Sequence, residues 1–215
     1  MISINAENVT NGVKLFNDDT DTSSINYDRA HDNSPADTVR PAGADTTNVG
    51  QINYTGGGLA GADAFAVERF AHIFAIPAGI GLVKKAVLDM YLYNPSFLTP
   101  QYLYILDSEG DIVSSGVIAA DFGQMLNHTT EYAKIHSSLV SGGAYNWITL
   151  NALARAAIQA AAGGFVYFTL RTYDDINKIM PSTGSTEYIA TPSGGGSFPA
   201  KLYLFPSENV GLIID

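Results

Sequence analysis

Three sets of residues in this chain have the type and spacing for chemistry. The first is the acidic run "NDDTD", which gathers Asp18, Asp19 and Asp21. Hard oxygen ligands at alternate positions suit Ca²⁺, but the glycine and the distant Glu of a full calcium loop are missing. A calcium site and a solvated acidic loop are therefore the two readings of that run. The second is "YDDIN", with Asp174, Asp175 and Asn177, which is open to the same two readings. Its paired carboxylates could also act as acid and base on a glycosidic bond. Adjacent strand residues point to opposite faces, which argues against joint action. The third set is the four histidines, His31, His72, His128 and His136. Glu131 stands between His128 and His136, but the spacing is not H-E-x-x-H. His72 shares a strand face with Phe70 and Phe74, so a hydrogen-bonded core or half-buried histidine is expected. No nucleophile elbow, P-loop or dinucleotide glycine pattern occurs. The chain is expected to be non-catalytic and to need no cofactor, calcium apart.

Tyrosine is the other informative residue, with 12 copies. Tyr91 and Tyr93 alternate with Leu88, Met90 and Leu92. Tyr203 and Phe205 alternate with Leu202 and Leu204, and Phe165 and Tyr167 with Val166, Phe168 and Leu170. Three strands thus carry one aliphatic and one aromatic face. Placed in one sheet, Tyr91, Tyr93, Tyr167 and Tyr203 would form a platform for stacking on a glycan or for a subunit contact. The plainer reading is that the helix at 150–162 covers that face. Trp147 is expected as a core plug where helix meets sheet.

The elements that must position these residues follow from the pattern. Period-two alternation marks strands at 12–16, 49–55, 65–76, 82–93, 101–106, 112–119, 165–173 and 200–206. The segment 122–140 reads as either a short helix or irregular structure. Leu150, Leu153, Ala157, Ile158 and Ala161 recur at helical spacing. Asn151 or Thr149 can cap that helix, and Gly163-Gly164 ends it. Residues 17–48 read as long polar loops. The order predicts an all-β fold: an antiparallel jelly-roll β-sandwich with one short α-helix, about 150–162, packed at one end. The whole chain, 1–215, is read as a single domain.

Composition narrows the function. Charged residues are 15 % and the formal net charge is −10, so a polyanionic duplex or an anionic membrane surface would be repelled. Cysteine is absent, which removes disulfides and thiolate sites together. The apolar run 70–83 is broken by His72, Pro77, Gly79 and Gly81 and is too short to span a bilayer. The N-terminus lacks the basic and apolar regions of a signal peptide.

The segments resemble the jelly-roll domains called DNRLRE domains, found in microbial surface proteins and polysaccharide-degrading enzymes. The first block is Arg69–Phe74, then Ile76-Pro77-Ala78-Gly79, then Ala86-Val87-Leu88 leading into Tyr91-Leu92-Tyr93. The second is Trp147, Ala157-Ile158-Gln159, Gly163-Gly164 and Phe165–Arg171. The third is Pro199, Leu202 and Leu204. The motif that gives that family its name does not occur. The resemblance implies a non-catalytic adhesive or carbohydrate-binding role. With the native-looking Met start and low charge, it points to a structural or adhesive component of a virus particle. A phage tail-fibre, receptor-binding or capsid-decoration protein is the expectation, homo-oligomeric and located in the virion. The alternative is a carbohydrate-binding module of a secreted polysaccharide-degrading enzyme or a cell-surface adhesin.

Overall fold

The computed structural model describes residues 1–7, 12–17, 23–32, 38–40, 47–54, 63–108, 118–192 and 198–207. The calcium candidates Asp18, Asp19 and Asp21 lie outside the described residues. So does most of the strand expected at 112–119, whose last two residues, Ile118 and Ala119, are not strand.

Along the chain the elements are β1 (Ile2–Asn5), β2 (Gly12–Asn17), α1 (Ser23–Asp32), β3 (Thr38–Arg40), β4 (Thr47–Tyr54), β5 (Ala64–Ala75), β6 (Val83–Leu92) and β7 (Tyr102–Leu106). There follow α2 (Asp121–Gln124), β8 (Glu131–His136), β9 (Ala144–Thr149), α3 (Ala152–Ala160), β10 (Phe165–Thr172), α4 (Tyr173–Ile176), β11 (Thr186–Thr191) and β12 (Lys201–Pro206). One sheet runs β1-β12-β6-β9, and the larger one contains β5-β10-β7-β8, with every described pair antiparallel. Taken along the chain, these strands pass back and forth between the two sheets. That is the strand order of a jelly roll, two Greek keys closed into a sandwich. The larger sheet continues past β5 through β4 to β11, while β2 pairs with β5 and carries β3.

The main core lies between the sheets. Leu88, Met90 and Leu92 of β6 and Leu202 and Leu204 of β12 meet Phe70 and Phe74 of β5 and Phe168 and Leu170 of β10. Full burial of each such side chain stabilises by about 1.5–3 kcal/mol. The strand β5 is buried on both faces over nearly its whole length. Its other face, Phe65, Val67, Ala71 and Ile73, packs under α1 and α2 against Tyr27, Ala30, Phe122 and Met125. This second core explains why the run is too apolar for a half-exposed strand.

Gly50 lets β4 serve both cores. Its φ of 139° is a backbone state that side chains rarely adopt, and an added Cβ would lie 2.1 Å from the Glu187 carbonyl oxygen. Val49 packs in the main core, whereas Gln51 pairs with Val67 on the second.

The helix expected at 150–162 is α3. Asn151 is its cap, with Oδ1 accepting from the Ala154 N–H at 3.0 Å. Thr149 belongs to β9. Ala154 and Ile158 enter the main core, and Gln159 bonds the backbone of Val83 and Ile80. Gly163 stops the helix at φ 82°.

Three expectations are corrected. Four α-helices are present among the described residues, not one. The most consequential, α1, lies inside the stretch read as polar loop. Its buried face is Asn26, Tyr27, Ala30 and His31, while Ile25 is exposed, so it carries no apolar stripe to read. The ambiguous stretch 122–140 contains the end of α2, two 3₁₀ turns and the strand β8. No described helix is long and apolar enough to cross a membrane.

Candidate functional site

The outer face of the four-stranded sheet is built by alternation. In β6, Leu88, Met90 and Leu92 point inward, so Val87, Asp89 and Tyr91 point out. The ladder places Tyr203 and Thr149 beside Val87, Lys201 and Trp147 beside Asp89, and Tyr145 beside Tyr91. Tyr91, Tyr145 and Tyr203 are half-buried and Trp147 is 62 % exposed.

The rings organise one another. Trp147 stacks on Tyr203 at 5.3 Å between centroids, and Tyr91 stacks on Phe198 at 4.3 Å. Tyr91 meets Tyr93 and Tyr145 edge-on. Offset and edge-on contacts of this kind are the favoured geometries of aromatic pairs. Because β6 runs between β9 and β12, the Trp147–Tyr203 stack bridges over β6. That bridge accounts for the burial of two outward residues, Val87 and Asp89. The Lys201 ammonium sits 4.7 Å from the centre of the Tyr145 ring.

Asp89 is the polar floor of this platform. Its Oδ1 has no hydrogen-bond partner. Burial pushes its carboxyl up from the ordinary value, against the opposing pull of Lys201 and the Trp147 indole. The face thus offers flat rings and two cations, Lys85 and Lys201, over a carboxylate whose Oδ1 is buried.

Of the four sequence-predicted contacts, Tyr91, Tyr93 and Tyr203 share this region. Tyr167 does not. It lies on β10 in the other sheet and packs against the second core. The three aromatic strands are thus divided between two sheets, because the jelly-roll crossover sends β10 away from β6 and β12. Trp147 is not a core plug: it faces outward from β9, and Ile148 takes the core position. The expected covering helix is elsewhere too, since α3 directs its apolar residues between the sheets. Reasoning from the sequence missed Tyr145 and Phe198. Tyr145-x-Trp147-x-Thr149 at period two was the signal for the first. The contact of Phe198 has no signal in its own segment.

The other candidates separate. Asp175 is fully buried and takes bonds from Arg69 at 2.7 and 3.1 Å and from Arg171 at 2.7 Å. His31 Nε2 lies 2.7 Å from its backbone oxygen. The same guanidiniums bond the carbonyls of Phe122, His31 and Met125. Although burial works against its charge, Arg69 and Arg171 hold Asp175 well below the usual carboxylate range. It is a structural pin joining α1, α2 and α4 to the sheet. Asp174 turns away into a surface cleft, so the two carboxylates do not face a common substrate. Asn177 only bonds the Tyr173 carbonyl.

His72 is in the core but makes no hydrogen bond, which corrects the expectation of a bonded histidine. Phe70, Phe74 and the facing Phe168 supply no acceptor. Burial lowers its pKa to about 3. His128 Nδ1 lies 2.8 Å from the Thr169 hydroxyl, and His136 pairs with Ser138 at the surface. Among the described residues, no group of three or more His, Asp or Glu is placed to hold a metal.

No protein-family model matches the chain, and no curated protein matches it.

Proposed function

We propose that this is a non-catalytic adhesive protein that holds a glycan on the ring-covered outer face of its four-stranded sheet. The observation that supports it is the pre-stacked platform itself, with Trp147 on Tyr203 and Tyr91 on Phe198 around Asp89. Tyrosine and tryptophan offer large rigid contact area at low entropic cost. The apolar C–H face of a pyranose fits a flat ring, and its hydroxyls need acceptors and donors nearby. Asp89 sets a carboxylate under the rings, with its Oδ1 buried and unpartnered, and Lys201 supplies a donor at the same row. A purely apolar subunit contact would have no use for that carboxylate, whose unpartnered buried Oδ1 costs stability.

Within this reading the setting is a phage virion, as a tail-fibre or receptor-binding component. That part rests on the composition and resemblance of the sequence. A module of a secreted polysaccharide-degrading enzyme would use the same face in the same way. Capsid or tail genes beside its own gene would favour the virion.

Electrophoresis through gels containing a panel of polysaccharides tests the binding. The wild type should be retarded on at least one, and Trp147→Ala and Tyr203→Ala should each lose most of that retardation. Unfolding curves close to wild type would show that the variants still fold. Retardation on no gel, together with an oligomer in which Trp147 fluorescence is shielded from a soluble quencher, would overturn the reading and make the face a subunit contact.

A further inference from the structure

A cleft of about 450 Å³ lies away from the aromatic platform, between the start of β7, α4 and its following loop, and β11. Among the described residues its walls carry two carboxylates, Asp174 and Glu187, and no Lys, Arg or His. Each carboxylate is held by one oxygen. Asp174 Oδ2 accepts from Gln101 Nε2 at 2.8 Å, and Glu187 Oε2 accepts from the Leu98 N–H at 3.1 Å. The second oxygen of each is unengaged, although Glu187 is 5 % exposed. These are two oriented acceptors in one concave site. Burial pushes both carboxyls up from their ordinary values, and Asp174 adds to the effect on Glu187.

The rest of the lining suits an aliphatic chain. Leu98, Ile179, Met180 and Pro181 provide apolar wall, and the Tyr173 ring stands exposed at the edge. The Tyr102 ring also lines the cleft, but Lys134 of β8 already sits 5.3 Å from its centre. The neighbouring Asp175 is consumed by Arg69 and Arg171 and contributes no free charge.

We propose that this cleft binds an alkylammonium ion, with Asp174 and Glu187 accepting from the –NH₃⁺ group and Leu98, Ile179 and Met180 covering its methylene chain. A neutral ligand would leave two desolvated carboxylates uncompensated, whereas a cation pairs with both. A bare divalent metal would find only two protein carboxylates and an apolar wall, a poor match to the six or more oxygens that calcium takes.

Titration of the protein with 1,5-diaminopentane, followed by calorimetry or amide chemical shifts, tests this. The diamine should saturate, and the uncharged 1,5-pentanediol should not bind. Asp174→Asn and Glu187→Gln keep the acceptors for Gln101 and Leu98 while removing charge. Each should weaken the diamine by about tenfold or more, the scale of a lost charge-assisted bond. A parallel titration with Nα-acetyl-lysine methylamide separates the sources. Tighter binding of the lysine amide assigns the site to a protein side chain, and tighter binding of the diamine to a free polyamine. Equal binding of the diol, unchanged affinity in both variants, or equimolar Ca²⁺ displacing the diamine would each overturn the proposal.

Discussion

The two faces of β5 are both buried, by opposite means. The inner face carries a stack of Phe70, His72 and Phe74 between the sheets, with the histidine neutral and unbonded. The outer face is apolar at its ends but centred on Arg69, which joins Arg171, Asp175 and His31 under α1. The contrast shows what each layer demands. A sheet facing another sheet can fill its gap with hydrocarbon. The short helices α1, α2 and α4 have too few apolar residues for that, and ionic hydrogen bonds fasten them instead. The Arg69 guanidinium does both jobs, bonding Asp175 and lying 4.1 Å from the centre of the Phe122 ring.

The largest test of that comparison is Asp175→Asn. Two buried guanidiniums would lose their counter-charge, so stability should fall by about 3–5 kcal/mol in denaturant unfolding. A loss below about 1 kcal/mol, the scale of a surface pair, would mean that the outer face is not held ionically.

Acid should probe the inner face. The His72 pKa in the folded state, about 3, lies below its unfolded value of 6.5. Its burial therefore carries no protonation penalty above pH 6.5, and stability is lost as the pH falls from 6.5 towards 3, at about 1.4 kcal/mol per pH unit. His72→Leu should flatten that part of the stability profile relative to wild type. It should also stabilise by about 1–2 kcal/mol at neutral pH by removing an unbonded polar ring. An unchanged acid limb would show that His72 finds a partner in solution.

His31 should respond with the opposite sign. Burial disfavours its charge, but the hydrogen bond and charge of Asp175 and the contact with Asp32 outweigh that and raise its pKa. Its stabilisation is complete below 6.5 and is lost as the pH rises through the folded-state value. His31→Gln should cost about 1–2 kcal/mol at pH 6 and less at pH 9. An equal cost at both would assign it to packing against Tyr27.

The smallest effect is expected far from both faces. Trp147→Ala removes an exposed ring and its stack on Tyr203, so it should cost about 1 kcal/mol. A much larger loss would make the platform a third core and not a binding face.

Much of the frame was legible in the residues. Strict alternation located β6, β7, β10 and β12, and the helical spacing with Asn151 before it located α3. The long apolar run at β5 signalled burial, but not that one strand would serve two cores. The strand β9 was hidden because its segment runs straight into the helix. The platform was half legible: Tyr91 and Tyr203 were read as outward from alternation, whereas Tyr167 was joined to them wrongly. The cleft was not legible, since Gln101, Asp174 and Glu187 come from three separate segments.

By itself the sequence determined the local periods, the helix cap and the absence of any local catalytic motif, because these depend on neighbours along the chain. Only the tertiary structure decided which strands share a sheet, and hence which rings meet. It also separated Asp174 from Asp175, one facing a cleft and one buried between two arginines. The physical reason is that pairing across β-ladders and burial beneath a helix join residues distant in the chain, and no local pattern encodes those partners.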